Sequence, residues 1–333
     1  MIESGGKVHW ARDAAEARAT VLRLCKGVGA RAVTKSKSMI AEEIELNEAL
    51  EASGIRRVET DLGEYIVQLA GATHKHLDAN RSLVEPRELL DEARAELREK
   101  FLAADVGITG ANFLIAETGS VVLVTNEGNA ELTQGLPRTH IVIASLEKVV
   151  PTFEDACTLL RVLARSATGQ EFGAYTTVLT GPKRPADLDG PTAFHVILLD
   201  NGRSGMLGGE FQDILRCIRC GACMNHCPVY LTTGGHAYGW VYPGPMGAVL
   251  TPAFIGIEQA HHLPNASTFC GRCEEVCPVR IPLPKMMRHW RERHFPKSPP
   301  VERYGTRLWA FVAKRPALYH TATHLAMSLL GRI

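Results

Sequence analysis

Residues 217–228 read Cys-Ile-Arg-Cys-Gly-Ala-Cys-Met-Asn-His-Cys-Pro, so Cys217, Cys220, Cys223 and Cys227 follow C-x2-C-x2-C-x3-C with Pro228 directly after. No other feature limits the fold of this chain so strongly. A tight loop is needed to wrap three thiolates around one small body, and Gly221 and Ala222 let the backbone come close to it. This is the ferredoxin spacing, in which the first three cysteines serve one iron–sulfur cubane and the fourth serves the other. A second block, Cys270, Cys273 and Cys277 followed by Pro278, repeats the last three cysteine positions, with Ser267 where the leading cysteine would stand. Crossing the fourth cysteines assigns Cys217, Cys220, Cys223 and Cys277 to one cluster and Cys227, Cys270 and Cys273 to the other. Two cubanes take eight ligands, and the two blocks offer seven. The expected cofactors are therefore one [4Fe-4S] cluster and a second that is either [3Fe-4S] or a [4Fe-4S] cluster whose last iron takes a hydroxyl, water or partner ligand.

Structural zinc is the alternative, but it accounts for four sulfurs, leaves three unexplained, and does not require a proline after each block. Haem attachment is excluded, because Met224 and Glu274 stand where C-x-x-C-H needs histidine. Seven clustered thiols also fit ligation better than redox exchange. Cys25 and Cys157 stand alone in helix-like stretches and read as ordinary buried thiols. His226, His236, His261 and His262 lie near the blocks in sequence, where a surface or supporting role is expected. With no apolar run near the ~20 residues of a membrane span, and no signal-like start, a cytoplasmic protein is expected.

Lys and Arg (37) nearly balance Asp and Glu (36), which removes the electrostatic basis for general nucleic-acid binding. The balance is uneven along the chain. From Pro278 onward there are 11 Lys/Arg against 2 Asp/Glu, leaving 26 against 34 before it. The basic tail carries Trp290, Trp309, Phe311 and Tyr319 among its cations, which suits either docking to an acidic partner or membrane surface, or packing on the chain itself.

The first 200 residues alternate strands and helices. Strands are expected at 7–10, 31–34 and 55–59, with helices at 13–26 and 39–53, a βαβαβ pattern that implies a parallel sheet. After a helix over 86–102, the apolar runs at 106–108, 113–115, 121–124 and 141–143 suggest a hairpin or mixed sheet. A helix near 154–165 and strands near 176–179 and 195–199 complete the domain. The Gly-rich stretch 201–209 marks a boundary, beyond which order is expected to depend on metal more than on a large apolar core.

Gly27, Gly29 and Ala32 fit G-x-G-x-x-A, but between a helix and the next strand, the reverse of a dinucleotide site; a helix end and turn is the reading. The stretch from Thr34 to Ser38, with Lys35 and Lys37, and the turn from Gly107 to Gly110 are candidate anion sites. N-capping by Ser36 or Ser38 beside exposed lysines is the simpler account of the first.

With the cysteine blocks set beside Thr34-Lys-Ser-Lys-Ser-Met39, Glu42-Glu43-Ile-Glu-Leu-Asn47, Glu59-Thr-Asp-Leu-Gly-Glu-Tyr65, Gly107-Ile-Thr-Gly110, Ala116-Glu-Thr-Gly-Ser120, Thr125-Asn-Glu-Gly-Asn129, Leu179-Thr-Gly-Pro-Lys183 and Asp200-Asn-Gly-Arg-Ser204, the chain resembles the lactate-utilisation iron–sulfur protein B family. The resemblance implies an α/β fold: an N-terminal domain (1–203) like ribose-5-phosphate isomerases and CoA transferases, an α-helical ferredoxin (204–285) with two clusters, and a basic tail (286–333). It further implies a three-protein complex oxidising L-lactate to pyruvate, this oxidoreductase subunit passing electrons; the sequence itself shows no flavin or nicotinamide fingerprint. Two departures are the shorter ends and a shorter segment between Tyr65 and Val84, around Gly71-Ala-Thr-His-Lys-His-Leu. Two other functions stay open on the motifs: a small-molecule-binding redox sensor, and an electron-transfer subunit of another 2-hydroxy-acid dehydrogenase such as one for glycolate.

Overall fold

In the computed structural model, residues 1–61 and 86–331 are described; the segment around residue 71 and the stretch from Leu62 to Tyr65 lie outside them. The N-terminal domain opens with β1 (Lys7–Ala11), α1 (Ala14–Gly27) and β2 (Ala32–Lys35). Asp13 caps α1 by accepting from the Glu16 N–H, and the helix ends at Gly27 in a turn through Gly29, so the G-x-G pattern is a helix end.

The helix expected over 39–53 is two helices, α2 (Met39–Glu43) and α3 (Leu46–Ala52). Glu45, at φ 52°, takes the left-handed conformation between them and stops the run. The break sets Leu46 and Leu50 in the core while Glu43 stays buried at the end of α2.

Then follow β3 (Arg56–Glu59), α4 (Pro86–Leu102), β4 (Val106–Thr109), β5 (Phe113–Ile115), β6 (Ser120–Thr125), α5 (Asn129–Gly135), β7 (Thr139–Ser145), β8 (Val149–Val150), α6 (Phe153–Thr168), β9 (Tyr175–Leu179) and β10 (Ala193–Leu199). Six strands form a parallel sheet in the order β1-β10-β7-β4-β2-β3. The expected hairpin is confined to β5 and β6, which sit in a second sheet ordered β8-β5-β6-β9. The runs at 106–108 and 141–143 belong to the parallel sheet instead; being buried on both faces, they lack the alternation that would have separated them.

The pleat divides the core. Val33, Ile108, Ile141, Ile143 and Ile197 face α1, α2 and α3, whereas Val142, Ala144 and Val196 face the second sheet through Leu114, Val121 and Leu123. The far side of that sheet packs on Ala156 and Leu160 of α6. Gly107 is required where α5 crosses β4, because a Cβ there would stand 1.8 Å from the Thr133 carbonyl oxygen.

The C-terminal part is helical, with α7 (Ala222–Asn225), α8 (Pro228–Thr233), α9 (Gly244–Ile255), α10 (Arg272–Glu275), α11 (Leu283–His294), α12 (Pro300–Ala313) and α13 (Pro316–Leu330), besides two further one-turn helices, Ile257–Ala260 and His262–Asn265, and several 3-10 turns. The thin core expected here is corrected: Phe211, Tyr238, Val249, Leu250, Leu263, Met286, Met287 and Trp290 are buried together, with Phe211 stacked on Trp290 at 4.1 Å. These residues are scattered among prolines and glycines and show no period, which hides them from a pattern reading. Helix α11 runs across residue 286, so the basic stretch begins inside this core. By contrast, neither α12 nor α13 has a buried residue.

Candidate metal centre

The two cysteine blocks share one backbone design. Arg219 and Phe269, each directly before a cysteine, take positive φ (61° and 56°), and Gly221 and Gly271, directly after it, do the same (80° and 82°). Each glycine opens a one-turn helix, α7 or α10, that carries the next cysteine, Cys223 or Cys273. Two residues in the left-handed region around one cysteine turn the chain back on itself, so that sulfurs three residues apart face a common point. Pro228 then starts α8 at the position where its missing N–H costs no hydrogen bond.

The sulfurs fall into two cavities. Cys217, Cys220, Cys223 and Cys277 line one of about 50 Å³, closed by Met39, Met246, Ile281 and Leu283. Cys227, Cys270 and Cys273 line another of about 20 Å³, together with Ser267 and His226. Among the described residues no three His, Cys, Asp or Glu side chains meet at single-ion distance. Thiols ranged round a cavity suit a multi-iron body, whose metal–sulfur bonds point outward, better than one tetrahedral zinc.

Burial pushes the thiols of Cys223 and Cys273 up to about 12 and about 11, and raises that of Cys220. Such thiols ionise at neutral pH only with a metal to hold the charge. Cys270 is exposed, and the Arg272 backbone N–H and the Thr268 side chain hold its thiol below the usual range. The inner cavity is thus walled by apolar side chains and the outer one is closer to water. In the inner one the Ile281 N–H donates to Cys277 Sγ at 3.4 Å. In the outer one, Ser267 Oγ accepts from the Phe269 N–H at 3.2 Å.

The histidines hold little beyond their own turns. His226 reaches the second cavity but its Nδ1 lies 2.9 Å from the Ala222 carbonyl, whereas His236, His261 and His262 are exposed. Cys25 is buried, as expected; Cys157 is partly exposed, because it sits on the outer side of α6.

A buried ionic network joins the two parts of the chain. Arg203 donates to both oxygens of Glu43, Nη1 to Oε1 at 2.8 Å and Nη2 to Oε2 at 2.7 Å, and its Nε lies 2.7 Å from Glu147 Oε2. Asn201 Nδ2 and the Tyr242 hydroxyl also donate to Glu43. Glu147 reaches Arg219 at 3.4 Å, and Arg219 lies over the Tyr242 ring. Burial opposes ionisation of Glu147, but Arg203 and Arg219 outweigh it and hold the carboxyl below the usual range. Arg219 is itself inside the first cysteine loop, and Ile218 beside it packs on Phe113, Ile115 and Leu160. The stretch 201–209 is accordingly a fastening, since Asn201 and Arg203 both bond to Glu43. Glu43, Arg203 and Arg219 lie in stretches the sequence singles out, but partners 160 residues apart leave no local signal of their pairing.

Beside the network is a cavity of about 410 Å³ at the ends of β2, β4 and β7. It unites both candidate anion loops, since Ser36, Ser38 and Gly110 line it with Lys148, Arg219 and Tyr242. Ser38 caps α2, accepting from the Ala41 N–H. The lysines depart from the expected exposed pair: Lys35 is buried against Glu59 at 2.9 Å because β2 carries it between neighbouring strands, while Lys37 is exposed and pairs with Asp61 at 3.3 Å.

The LUD domain family matches residues 1–199 and the 4Fe-4S dicluster domain family matches residues 213–281. Lactate utilization protein B of Lysinibacillus sphaericus is 46% identical over 349 residues, covering 98% of this chain and 73% of that one. The protein of the same name from Geobacillus kaustophilus is 45% identical over 351 residues, covering 98% and 74%. A solved structure of a DUF162 family protein from Deinococcus radiodurans, 17% identical, superposes with a TM-score of 0.28 over 55% of this chain and 98% of its own.

Proposed function

The chain belongs to the lactate utilization protein B family, and from that membership and the two thiol-lined cavities we propose that it is the iron–sulfur electron-transfer subunit of a complex oxidising L-lactate to pyruvate. The observation that carries this reading is the segregation of the sulfurs: four thiols in the inner cavity, and three with Ser267 in the outer one. Cys217, Cys220, Cys223 and Cys277 would hold the inner cluster; Cys227, Cys270 and Cys273 would hold the outer, with Ser267 or water at its fourth corner. When bound, such clusters exchange one electron at a time, so a pair suits a two-electron oxidation.

The rest of the chain fixes positions. Met39, Met246 and Leu283 line the inner set with apolar side chains, while the exposed Cys270 leaves the outer set open to solvent. The ion pairs of Arg203 and Arg219 hold the first loop against the N-terminal domain. We read that domain as one of the ribose-5-phosphate isomerase and CoA transferase type, on the support of its parallel sheet and the cavity at the strand ends. The hairpin of α12 and α13, which exposes Leu308, Trp309, Phe311 and Leu325 among basic residues, is assigned to contact with another subunit. Among the described residues no helix is long and apolar enough to cross a membrane.

The test is anaerobic reconstitution with iron and sulfide, followed by addition of the other complex subunits and L-lactate. Lactate-dependent bleaching of the cluster absorbance is expected. Reconstituted clusters that stay oxidised under those conditions would sink the reading.

A further inference from the structure

Among the described residues that wall the inner thiol cavity, Arg219 alone carries a charge other than on sulfur. Its Nη1 donates to Met246 Sδ at 3.1 Å, and its Nη2 lies 3.4 Å from Glu147 Oε1. Burial opposes the guanidinium charge, but Cys217, Tyr242 and Glu147 together outweigh it. One turn after β7, residues Leu146–Lys148, brings Glu147 and Lys148 to the same place from the N-terminal domain. Burial and then Arg219 bring the Lys148 ammonium down to about 8, against the pull of Glu147 and of the Cys217 sulfur.

These charges do not cancel. Arg203 takes both oxygens of Glu43, and Glu147 is divided between Arg203 and Arg219. With Lys148, three cations (Arg203, Arg219, Lys148) therefore face two carboxylates (Glu43, Glu147), and the two cations outside the Arg203–Glu43 fork are the ones in the field of Cys217. An iron–sulfur core with four thiolates is an anion that gains a further negative charge on reduction, so positive charge beside it favours the reduced form, the more so across apolar side chains such as Met39 and Met246. The outer set has no equivalent. The cation beside Cys270 is Arg272, half exposed and paired with Glu275 at 2.8 Å, where water screens it. Neither Arg219 nor Lys148 lines the outer cavity.

We propose that Arg219 and Lys148 are positioning residues that raise the reduction potential of the inner cluster, with Glu147 holding Arg219 in place and offsetting part of its charge. The N-terminal domain thus tunes one cluster of the pair through the end of β7, which gives the buried junction a role in electron transfer beyond fastening. The inference rests on the electron-transfer reading for the cluster it acts on.

Potentiometric titration of the reconstituted full chain at pH 7, followed by electron paramagnetic resonance, tests it, the inner cluster being the signal lost in Cys217→Ala. Lys148→Gln and Arg219→Gln should each move the inner midpoint to more negative potential, by about tenfold in the reduction equilibrium, or ~59 mV for one electron. Glu147→Gln should move it to more positive potential. Lys148→Arg, which keeps the charge, should titrate like the parent; because Lys148 takes no part in the Arg203–Glu43 fork, this pair of variants decides the matter even where substitution at 147 or 219 disturbs the fold. The outer midpoint should move less in every variant. An inner midpoint unmoved by Lys148→Gln would overturn the inference, as would Lys148→Arg shifting it as far as Lys148→Gln, or equal shifts in both clusters; all three leave the electron-transfer reading intact. A parent chain that assembles no reducible cluster is the separate outcome that removes that reading.

Discussion

Arg203 and Glu43 face each other through two parallel hydrogen bonds, 2.7 and 2.8 Å long, inside the junction between the α/β domain and the helical domain. Neither side chain is more than 2% exposed. A fork-to-fork pair of this kind fixes direction as well as distance, so the segment after β10 can enter the helical domain in one orientation only.

Removing one member strands the other. Glu43→Gln or Arg203→Met should each cost about 3 to 5 kcal/mol, the loss typical when a buried pair is broken. The double variant should cost less than the two singles together, because it leaves no uncompensated charge of that pair. Urea denaturation of the four proteins measures the coupling; strictly additive losses would show that the pair does not act as a unit.

Acid should weaken the α/β domain before it affects any carboxylate. His140 is fully buried on β7, its Nε2 2.9 Å from Thr109 Oγ1, and burial holds its pKa down to about 3. His195, beside His9, is held down to about 4, first by burial and then by that neighbour. Both rings are neutral in the folded and unfolded chains above pH ~6.5. As pH falls below that value the unfolded chain takes up protons that the folded chain refuses, so stability is lost down to the folded values. The limiting slope is ~1.4 kcal/mol per pH unit for each histidine. His140→Gln should flatten the fall in urea midpoint between pH 6.5 and 4.5. An unchanged slope would assign the acid sensitivity elsewhere.

The sequence carries the metal chemistry more legibly than the architecture around it, because ligand spacing is local and most packing is not. Cys217 to Pro228 and Cys270 to Pro278 announce their geometry within a dozen residues each. Strand and helix existence in the first domain is equally local, apart from the break at Glu45, which depends on where Glu43 and Leu46 must point. The assignment of β4 and β7 to one sheet and β5 and β6 to another is not legible, since all four are short apolar runs with similar spacing. Nor is the junction: Glu43, Glu147, Arg203, Arg219 and Tyr242 come from five separate stretches, and only folding brings their charges together.

The outer sulfur set should be the weaker under oxidant. An iron without a thiolate is held by bridging sulfides and an exchangeable oxygen ligand, so its loss breaks no bond to cysteine. Gentle oxidation should yield a [3Fe-4S] electron paramagnetic resonance signal of about one spin per chain. Ser267→Cys should suppress it. Two equally resistant clusters in the parent protein would mean that Ser267, His226 or a partner residue completes the outer site firmly.

Deleting the chain after Pro299 removes α12 and α13, which bury no residue of their own. The shortened protein should keep its clusters and lose less than ~1 kcal/mol of stability, as surface changes generally do. It should fail to co-purify with the other subunits. Undiminished assembly would refute the assignment of the hairpin to subunit contact, and binding of the full chain, but not the shortened one, to anionic vesicles would reassign it to a membrane surface.

The most direct test is a comparison of four cysteine variants by electron paramagnetic resonance and Mössbauer spectroscopy of the reconstituted chain. Because Cys277 lines the cavity of Cys217, and Cys227 that of Cys270, Cys277→Ala should lose the same cluster as Cys217→Ala, and Cys227→Ala the same one as Cys270→Ala. Identical spectra from Cys227→Ala and Cys217→Ala, with Cys277→Ala matching Cys270→Ala, would mean that each block serves its own cluster and would contradict the crossed arrangement on which the electron-transfer account is built.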